Sequence, residues 1–328
     1  MRFAALFPGQ LSETPGMGEA LGARYDFCAA FFDEVSGRSG VDVAATFFGA
    51  GAPSLHDDLP AQVGVFAVSI AALDALERGH GLAPSAAAGY SLGTYAAFVA
   101  AGCLDRWVAL DVLLEAQRLL DEERRAGAGD PGGMGFVIGL PRVAVEAALV
   151  GTEVSIGNEN AAQQFVLTGG ARAVAAAIES LRPKALRAGM LPIGCAMHSN
   201  RLEAVCLRLR KSFEGRIGLR RPRLALYAPT FGKAMSTIEE ISLVLFGQLA
   251  RPSLWAQTLA AMGADGFSLF AELGPGDVLT KLLRWTLREA RGHVVGCPAT
   301  AASFASAVTG APATDPAPSA GREAASRA

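Results

Sequence analysis

The sequence predicts an α/β protein: a main domain built on a parallel sheet and carrying a nucleophile elbow, with a smaller α+β subdomain inserted into it. Three observations predict it. Residues 86–97, Ala-Ala-Ala-Gly-Tyr-Ser-Leu-Gly-Thr-Tyr-Ala-Ala, read as strand, sharp turn and helix, with Gly89 and Gly93 two residues either side of Ser91. Strand-like and helix-like segments alternate over 1–126 and again over 196–297, as in an α/β-hydrolase-like domain interrupted once. Between them, 127–195 read strand, helix, strand, strand, helix, strand, the ferredoxin-like order.

The elbow is the element around which the chain is arranged. Glycines flanking the serine remove the Cβ atoms that would collide in so tight a turn, and they leave the hydroxyl at its tip. The helix that follows aims its positive end at the same point, so the amide of Leu92 is placed to hold an oxyanion formed when Ser91 attacks a carbonyl. With 38 glycines in 328 residues, the pentapeptide by itself is equally an ordinary turn.

Bulk properties narrow the field. A chain that is 51% apolar and 18% charged is globular and long enough for a large core. A formal net charge of −2, with no basic run interleaved with aromatics, argues against a nucleic-acid partner. Five widely spaced cysteines without a Cys-x-x-Cys pair suggest neither a disulfide framework nor a metal site, and fit a reducing cytoplasm. The apolar start is too short for a signal peptide, and no uncharged apolar stretch of membrane-spanning length is expected.

In chain order, 3–7 reads as a buried strand ending in Pro8-Gly9-Gln10-Leu11, followed by a helix over about 17–35. A loop at a strand's C-terminal end is where open α/β sheets present ligand groups, which makes the backbone N–H of Gln10 a candidate second oxyanion donor. Residues 37–61 read as loop, and 62–76 as a helix apolar on nearly every face. A second long helix opens at 107 and ends in charge near 125. After the insert come a helix (201–213), a basic stretch with Lys211, Arg216, Arg220, Arg221 and Arg223, a strand (224–227), two helices, a strand (268–271), the turn 272–276 and a further helix. The basic stretch is compatible with docking an acidic partner or CoA phosphates, and equally with a solvated surface. The Ala-rich segment 298–328 reads as a disordered tail.

A serine needs a base, and histidine is the side chain whose ordinary pKa suits neutral pH. Of the four histidines, His56 and His80 lie in polar loop contexts and His293 opens a late strand. His198 follows the insert directly, where the chain re-enters the main domain behind the small residues Gly194, Cys195 and Ala196. It is the candidate base; a buried histidine satisfied by backbone is the alternative. No aspartate stands out as its orienting partner.

Together these residues resemble the malonyl-CoA:acyl carrier protein transacylase family, which includes polyketide synthase acyltransferases. The likeness spans about 3–297. It rests on Phe7-Pro8-Gly9-Gln10, Gln62, Gly89-Tyr90-Ser91-Leu92-Gly93, Asn158-x-Asn160 with Gln164, Ala196-Met197-His198-Ser199, Gln248-Leu249-x-x-Pro252-x-x-Trp255 and Glu272-Leu273-Gly274-Pro275-Gly276. The resemblance implies a Ser91–His198 dyad working by a ping-pong cycle, with the Gln10 and Leu92 amides as oxyanion hole and the Gln248 carbonyl orienting His198. It implies that Gln62, Asn160 and Met197 contact substrate, that no cofactor is bound, that a CoA or phosphopantetheine thioester is the substrate, and that an acyl carrier protein is the partner. The chain departs from the family at Tyr90 and Thr94, where histidine and glutamate are usual, and at Leu11-Ser12-Glu13. The arginine that pairs with a malonyl carboxylate falls, without gaps, on Ala116. Arg118 is two residues on, about 200° around a helix, and would point elsewhere unless a two-residue insertion in the 102–108 loop realigns it, so Ala116 and Arg118 both stand as substrate-contact candidates. An uncharged or atypical acyl group is therefore expected. Alternatives on the same residues are an acyl-carrier-protein hydrolase, in which water resolves the acyl-serine, and a non-catalytic docking subunit.

Overall fold

The computed structural model describes residues 1–126, 130 and 132–310. The larger sheet has six strands in the order β10-β9-β1-β2-β7-β8, made of β1 (Ala4–Phe7), β2 (Ala86–Gly89), β7 (Ala225–Ala228), β8 (Lys233–Met235), β9 (Leu269–Leu273) and β10 (Arg291–Val295). All pairings are parallel except that of β8, an antiparallel edge strand that the sequence reading lacked. β1 is central, pairing with β2 on one side and β9 on the other, and the register sets Phe7 beside Gly89. The loops leaving β1 and β2 therefore emerge side by side, and these are the loops of Gln10 and Ser91.

The second sheet is antiparallel, in the order β4-β5-β3-β6, from β3 (Gly133–Ile138), β4 (Ser155–Ala161), β5 (Gln164–Gly169) and β6 (Arg187–Met190). With helices Arg142–Leu149 and Ala171–Leu181 it closes a small core of its own around Val137, Phe165, Leu167, Val174 and Ile178. This is the ferredoxin-like order, although the last strand lies at 187–190 rather than the expected 190–194. The loop expected over 127–133 falls mostly outside the described residues.

The helix Asp58–Asp74 runs through the main core, with every side chain from Ala61 to Asp74 buried, which is why it is apolar all round. Together with the π-turn that extends it to Gly79, it is long and apolar enough to cross a membrane by composition, yet 89% of its most apolar window is buried inside the protein. The expected 17–35 helix is two, Glu19–Arg24 and Asp26–Ser39, broken at the extended Tyr25. The expected 37–61 loop holds a short helix, Val43–Phe47, whose amides are capped by Asp42.

The tail is corrected more substantially. Residues Pro298–Thr309 form a helix, with proline in its first turn and Ala301, Phe304 and Val308 buried. Phe304 packs edge-on against Phe3 at 5.0 Å. The apolar positions recur at helical spacing, but alanine-rich composition hides them from a compositional reading. Residues 311–328 lie outside the described residues. Phe304→Ala should lower unfolding stability by about 3 kcal/mol; an unchanged denaturant midpoint would mean that this helix does not belong to the core.

Candidate active site

At the elbow the chain is held against its neighbours with no room for a side chain. A Cβ on Gly93 would overlap the carbonyl oxygen of Phe7, and one on Gly89 would overlap the backbone of Gly93 and Thr94. The turn forces Ser91 to φ 52°, in the left-handed region that costs a non-glycine residue roughly 1 kcal/mol or more. Only Leu11 (φ 74°) and His198 (φ 61°) share positive φ among the described non-glycine residues. All three border one cleft.

His198 arrives from the other direction. Its backbone N–H donates to Leu249 O (2.7 Å), and the preceding carbonyl, of Met197, accepts from Thr168 Oγ1 of β5 (2.7 Å). The peptide is thus pinned between β5 and the short helical turn Gln248–Ala250. The imidazole is 4% exposed, and its Nε2 lies 2.9 Å from Ser91 Oγ. Its Nδ1 faces two carbonyl oxygens, Gln248 O at 3.2 Å and Arg251 O at 3.1 Å. Carbonyls only accept, so Nδ1 carries the proton, and Nε2 is left as the acceptor for the serine hydroxyl. Burial pushes the histidine below its ordinary pKa of 6.5, against the opposing pull of the two carbonyls. The ring is therefore neutral at neutral pH and able to take a proton from Ser91.

The residue before the serine is fixed by the small sheet. Tyr90 Oη donates to Asn160 Oδ1 (2.9 Å) and accepts from Asn158 Nδ2 (3.0 Å), while its ring packs edge-on against Trp255 at 5.4 Å. Burial raises the phenol to about 12, so it stays protonated and donating.

The cleft measures about 700 Å³ with its open mouth included, and it is walled by the loops leaving β1 and β2, by helices of the main domain and by strands of the small sheet. Ser91, His198, Gln10, Leu92, Gln62, Ala116, Met197 and Gln248 all line it, as expected from the sequence. Leu120, Met134, Val166, Leu191 and Ile193 make its floor apolar, and His198 is the one titratable base or cation source among the described residues that line it. Two expected residues lie elsewhere. Arg118 is half exposed on the opposite face of its helix, paired with Glu115 and Glu122, as 200° of helical rotation requires. Asn160 does not line the cleft and reaches it only through Tyr90; Asn158 lines it instead, because bulges in β4 break the simple alternation. The sequence reading also missed the Arg251 carbonyl, which no side-chain pattern encodes, and Gln117. Gln117 is buried one residue beyond Ala116 and accepts from Gln62 Nε2 (2.6 Å); a one-residue shift of the gap-free spacing would have pointed to it.

The chain matches the family model described as acyl transferase domain over residues 5–309. It is 30% identical over 289 residues to the malonyl CoA-acyl carrier protein transacylase of Haemophilus influenzae, covering 86% of this chain and 91% of that one. Its fold is similar to that of an acyl-carrier-protein S-malonyltransferase from Burkholderia pseudomallei (TM-score 0.86, 28% identity, covering 93% and 99% of the two chains). It is also similar to a malonyl-transacylase solved in complex with its type II polyketide synthase acyl-carrier protein (TM-score 0.84, 28% identity, 92% and 98% covered). The family match extends over both sheets and over every segment that builds the cleft from Gln10 to Leu249, and the chain accordingly belongs to the acyl transferase domain family.

Proposed function

We propose that this acyltransferase moves an acyl group lacking a free carboxylate from a CoA or carrier-protein thioester to the phosphopantetheine thiol of an acyl carrier protein, with Ser91 as the covalent way-station. The observation that carries the reading is the 2.9 Å contact between Ser91 Oγ and a neutral, backbone-oriented His198 inside a cleft between the loops of the large sheet and the strands of the small one. Relatives named as transacylases, one of them bound to a carrier protein, support the class of acceptor.

In the first half-reaction Ser91 Oγ attacks the thioester carbonyl and its proton passes to His198 Nε2. The oxyanion is held by the backbone amides of Gln10 and Leu92, both at the cleft beside Ser91. Collapse expels the thiolate, which takes the proton from His198 and leaves as a thiol. In the second half-reaction the carrier thiol gives its proton to the same nitrogen and attacks the acyl-serine, and the steps reverse to restore the free hydroxyl. Among the described residues no carboxylate faces the imidazolium, and the Gln248 and Arg251 carbonyl dipoles stabilise it. Among the described residues that line the cleft there is no lysine or arginine, which supports an uncharged acyl group, since a free carboxylate buried there would have no cationic partner among them. The five free cysteines suit a cytoplasmic setting.

Incubation with butyryl-CoA should add one acyl mass to the intact protein, and Ser91→Ala should abolish the adduct. His198→Ala should slow its formation by about 10²–10⁴-fold. Adding holo-carrier protein should then discharge the adduct onto the carrier; release as free acid at the same rate with and without carrier would establish hydrolysis instead.

The pH profile is a separate check. A base whose charged form is disfavoured by burial stays deprotonated to lower pH, so the acid limb of kcat/KM should fall at a pH below 6.5. An acid limb above that value would mean that a different group, or a more solvated His198, controls the step.

A further inference from the structure

The turn that carries Gln10 is held by side chains that the acyl-transfer steps leave unexplained. Buried Ser12 Oγ donates to Gly9 O at 2.6 Å. Glu13 reaches back along the chain, and its Oε2 accepts from the backbone N–H of Leu11 at 2.8 Å. The other oxygen, Oε1, lies 3.1 Å from His56 Nδ1; a carboxylate oxygen accepts, so His56 donates. The Glu13 side chain is 1% exposed and that of His56 67%, so the imidazole stands on the solvent side of the carboxylate.

These two side chains fix the peptides on either side of Gln10. In a trans peptide the carbonyl and the N–H point opposite ways, so a hydrogen bond that fixes Gly9 O also fixes the direction of the Gln10 N–H. Accepting that bond polarises the amide and strengthens it as a donor. The same peptide is pressed against the elbow, where a Cβ on Gly9 would stand 2.8 Å from the carbonyl oxygen of Tyr90. Behind it, a Cβ on Gly276 would stand 3.1 Å from Ser12 O, so the turn after β9 backs the whole segment. Leu11 has φ 74°, a left-handed conformation that a leucine keeps only when tied, and the Glu13 carboxylate ties the peptide that follows Gln10. Among the described residues, neither the Gln10 nor the Leu92 N–H donates to a protein acceptor, although both residues stand at the cleft beside Ser91. A fixed, polarised and uncommitted N–H is what an oxyanion site requires.

We propose that Ser12 and Glu13 are positioning residues for the oxyanion donor: Ser12 aims the Gly9–Gln10 peptide, and Glu13, anchored by His56, holds the left-handed step that follows it. The proposal rests on the acyl-transfer reading, in which the Gln10 N–H faces the thioester oxygen, and it names what keeps that donor in place. Neither side chain is among the described residues that line the cleft, so each acts through the backbone.

The test is single-turnover acylation of Ser91 by butyryl-CoA, followed by intact mass over a range of concentrations. An oxyanion donor acts in the transition state, so misaiming it should lower the maximal rate and leave the half-saturating concentration unchanged. Ser12→Ala removes a single oxygen and is the milder change for folding; Glu13→Met keeps the length and removes the acceptor. Each should slow the maximal rate about tenfold or more, short of the roughly 10²–10³-fold cost of losing a whole donor. Glu13→Gln keeps a carbonyl oxygen for the Leu11 N–H and should recover most of that rate. Parental rates in both Ser12→Ala and Glu13→Met, a loss carried by the half-saturating concentration, or no recovery in Glu13→Gln would overturn the proposal. Should thioesters leave the parent Ser91 unacylated, the acyl-transfer reading falls alone and the amide NMR resonance of Gln10 decides. Displaced by Ser12→Ala and Glu13→Met while that of Leu92 stays in place, it upholds the positioning role; unmoved, it overturns it.

Discussion

The close approach of the β2 turn to the end of β1 is the constraint on which the rest of the site depends. With Gly93 pressed on the Phe7 carbonyl and Gly89 on the turn itself, the chain can pass from strand to helix only with Ser91 in the left-handed region. That places the hydroxyl at the C-terminal edge of the parallel sheet, beside the loop of Gln10, because Phe7 and Gly89 share a register position. The strain at Ser91 is tolerated because the turn is tied on both sides: Tyr90 N–H donates to Phe7 O (2.9 Å) and Thr94 N–H to Ser91 O (3.0 Å).

A second consequence concerns the base. Histidines in such dyads are commonly oriented by a carboxylate, which also favours their charged form. Here two main-chain carbonyls take that place, so the ring's tautomer is fixed without adding a charge to the site. Burial then dominates and keeps the imidazole neutral and ready to accept. The same economy of charge holds across the cleft, whose polar lining beyond His198 is amide and hydroxyl. What ionic character exists nearby is held behind Gln117, where Asp58, Asp121 and Arg124 orient amides and do not face the acyl space.

The small sheet does more than close one side. Asn158 and Asn160 of β4 reach across to Tyr90, and Thr168 of β5 holds the peptide before His198, so both members of the dyad are buttressed by the same antiparallel sheet. Tyr90, which departs from the residue usual in similar chains, uses its length to make that bridge while its ring packs on Trp255.

Much of this was legible in one dimension. The Gly-x-Ser-x-Gly spacing is local steric chemistry, and it singled out the turn that carries Ser91; the strand–helix order named both sheets; and His198, which meets Ser91 Oγ, stood out by its place at the chain's return from the insert. Residue spacing along a helix turned Arg118 away from the cleft but left it a candidate, and its pairing with Glu115 and Glu122 on the outer face is what removes it. Less legible was anything decided by partners distant in sequence. The 298–309 helix is ordered because Phe304 finds Phe3 across nearly the whole chain, a contact that composition does not express. Asn158 rather than Asn160 lines the cleft because bulges displace the β4 register, and the Arg251 carbonyl orients His198 although a backbone oxygen has no sequence signature. The facing of the side-chain amides around Gln117 depends on Asp58, Asp121 and Arg124 meeting from two helices. The sequence by itself singled out the hydroxyl and the imidazole that meet in the cleft, because local sterics and order along the chain encode them; which way the amides beside them face, only the packing of those helices decided.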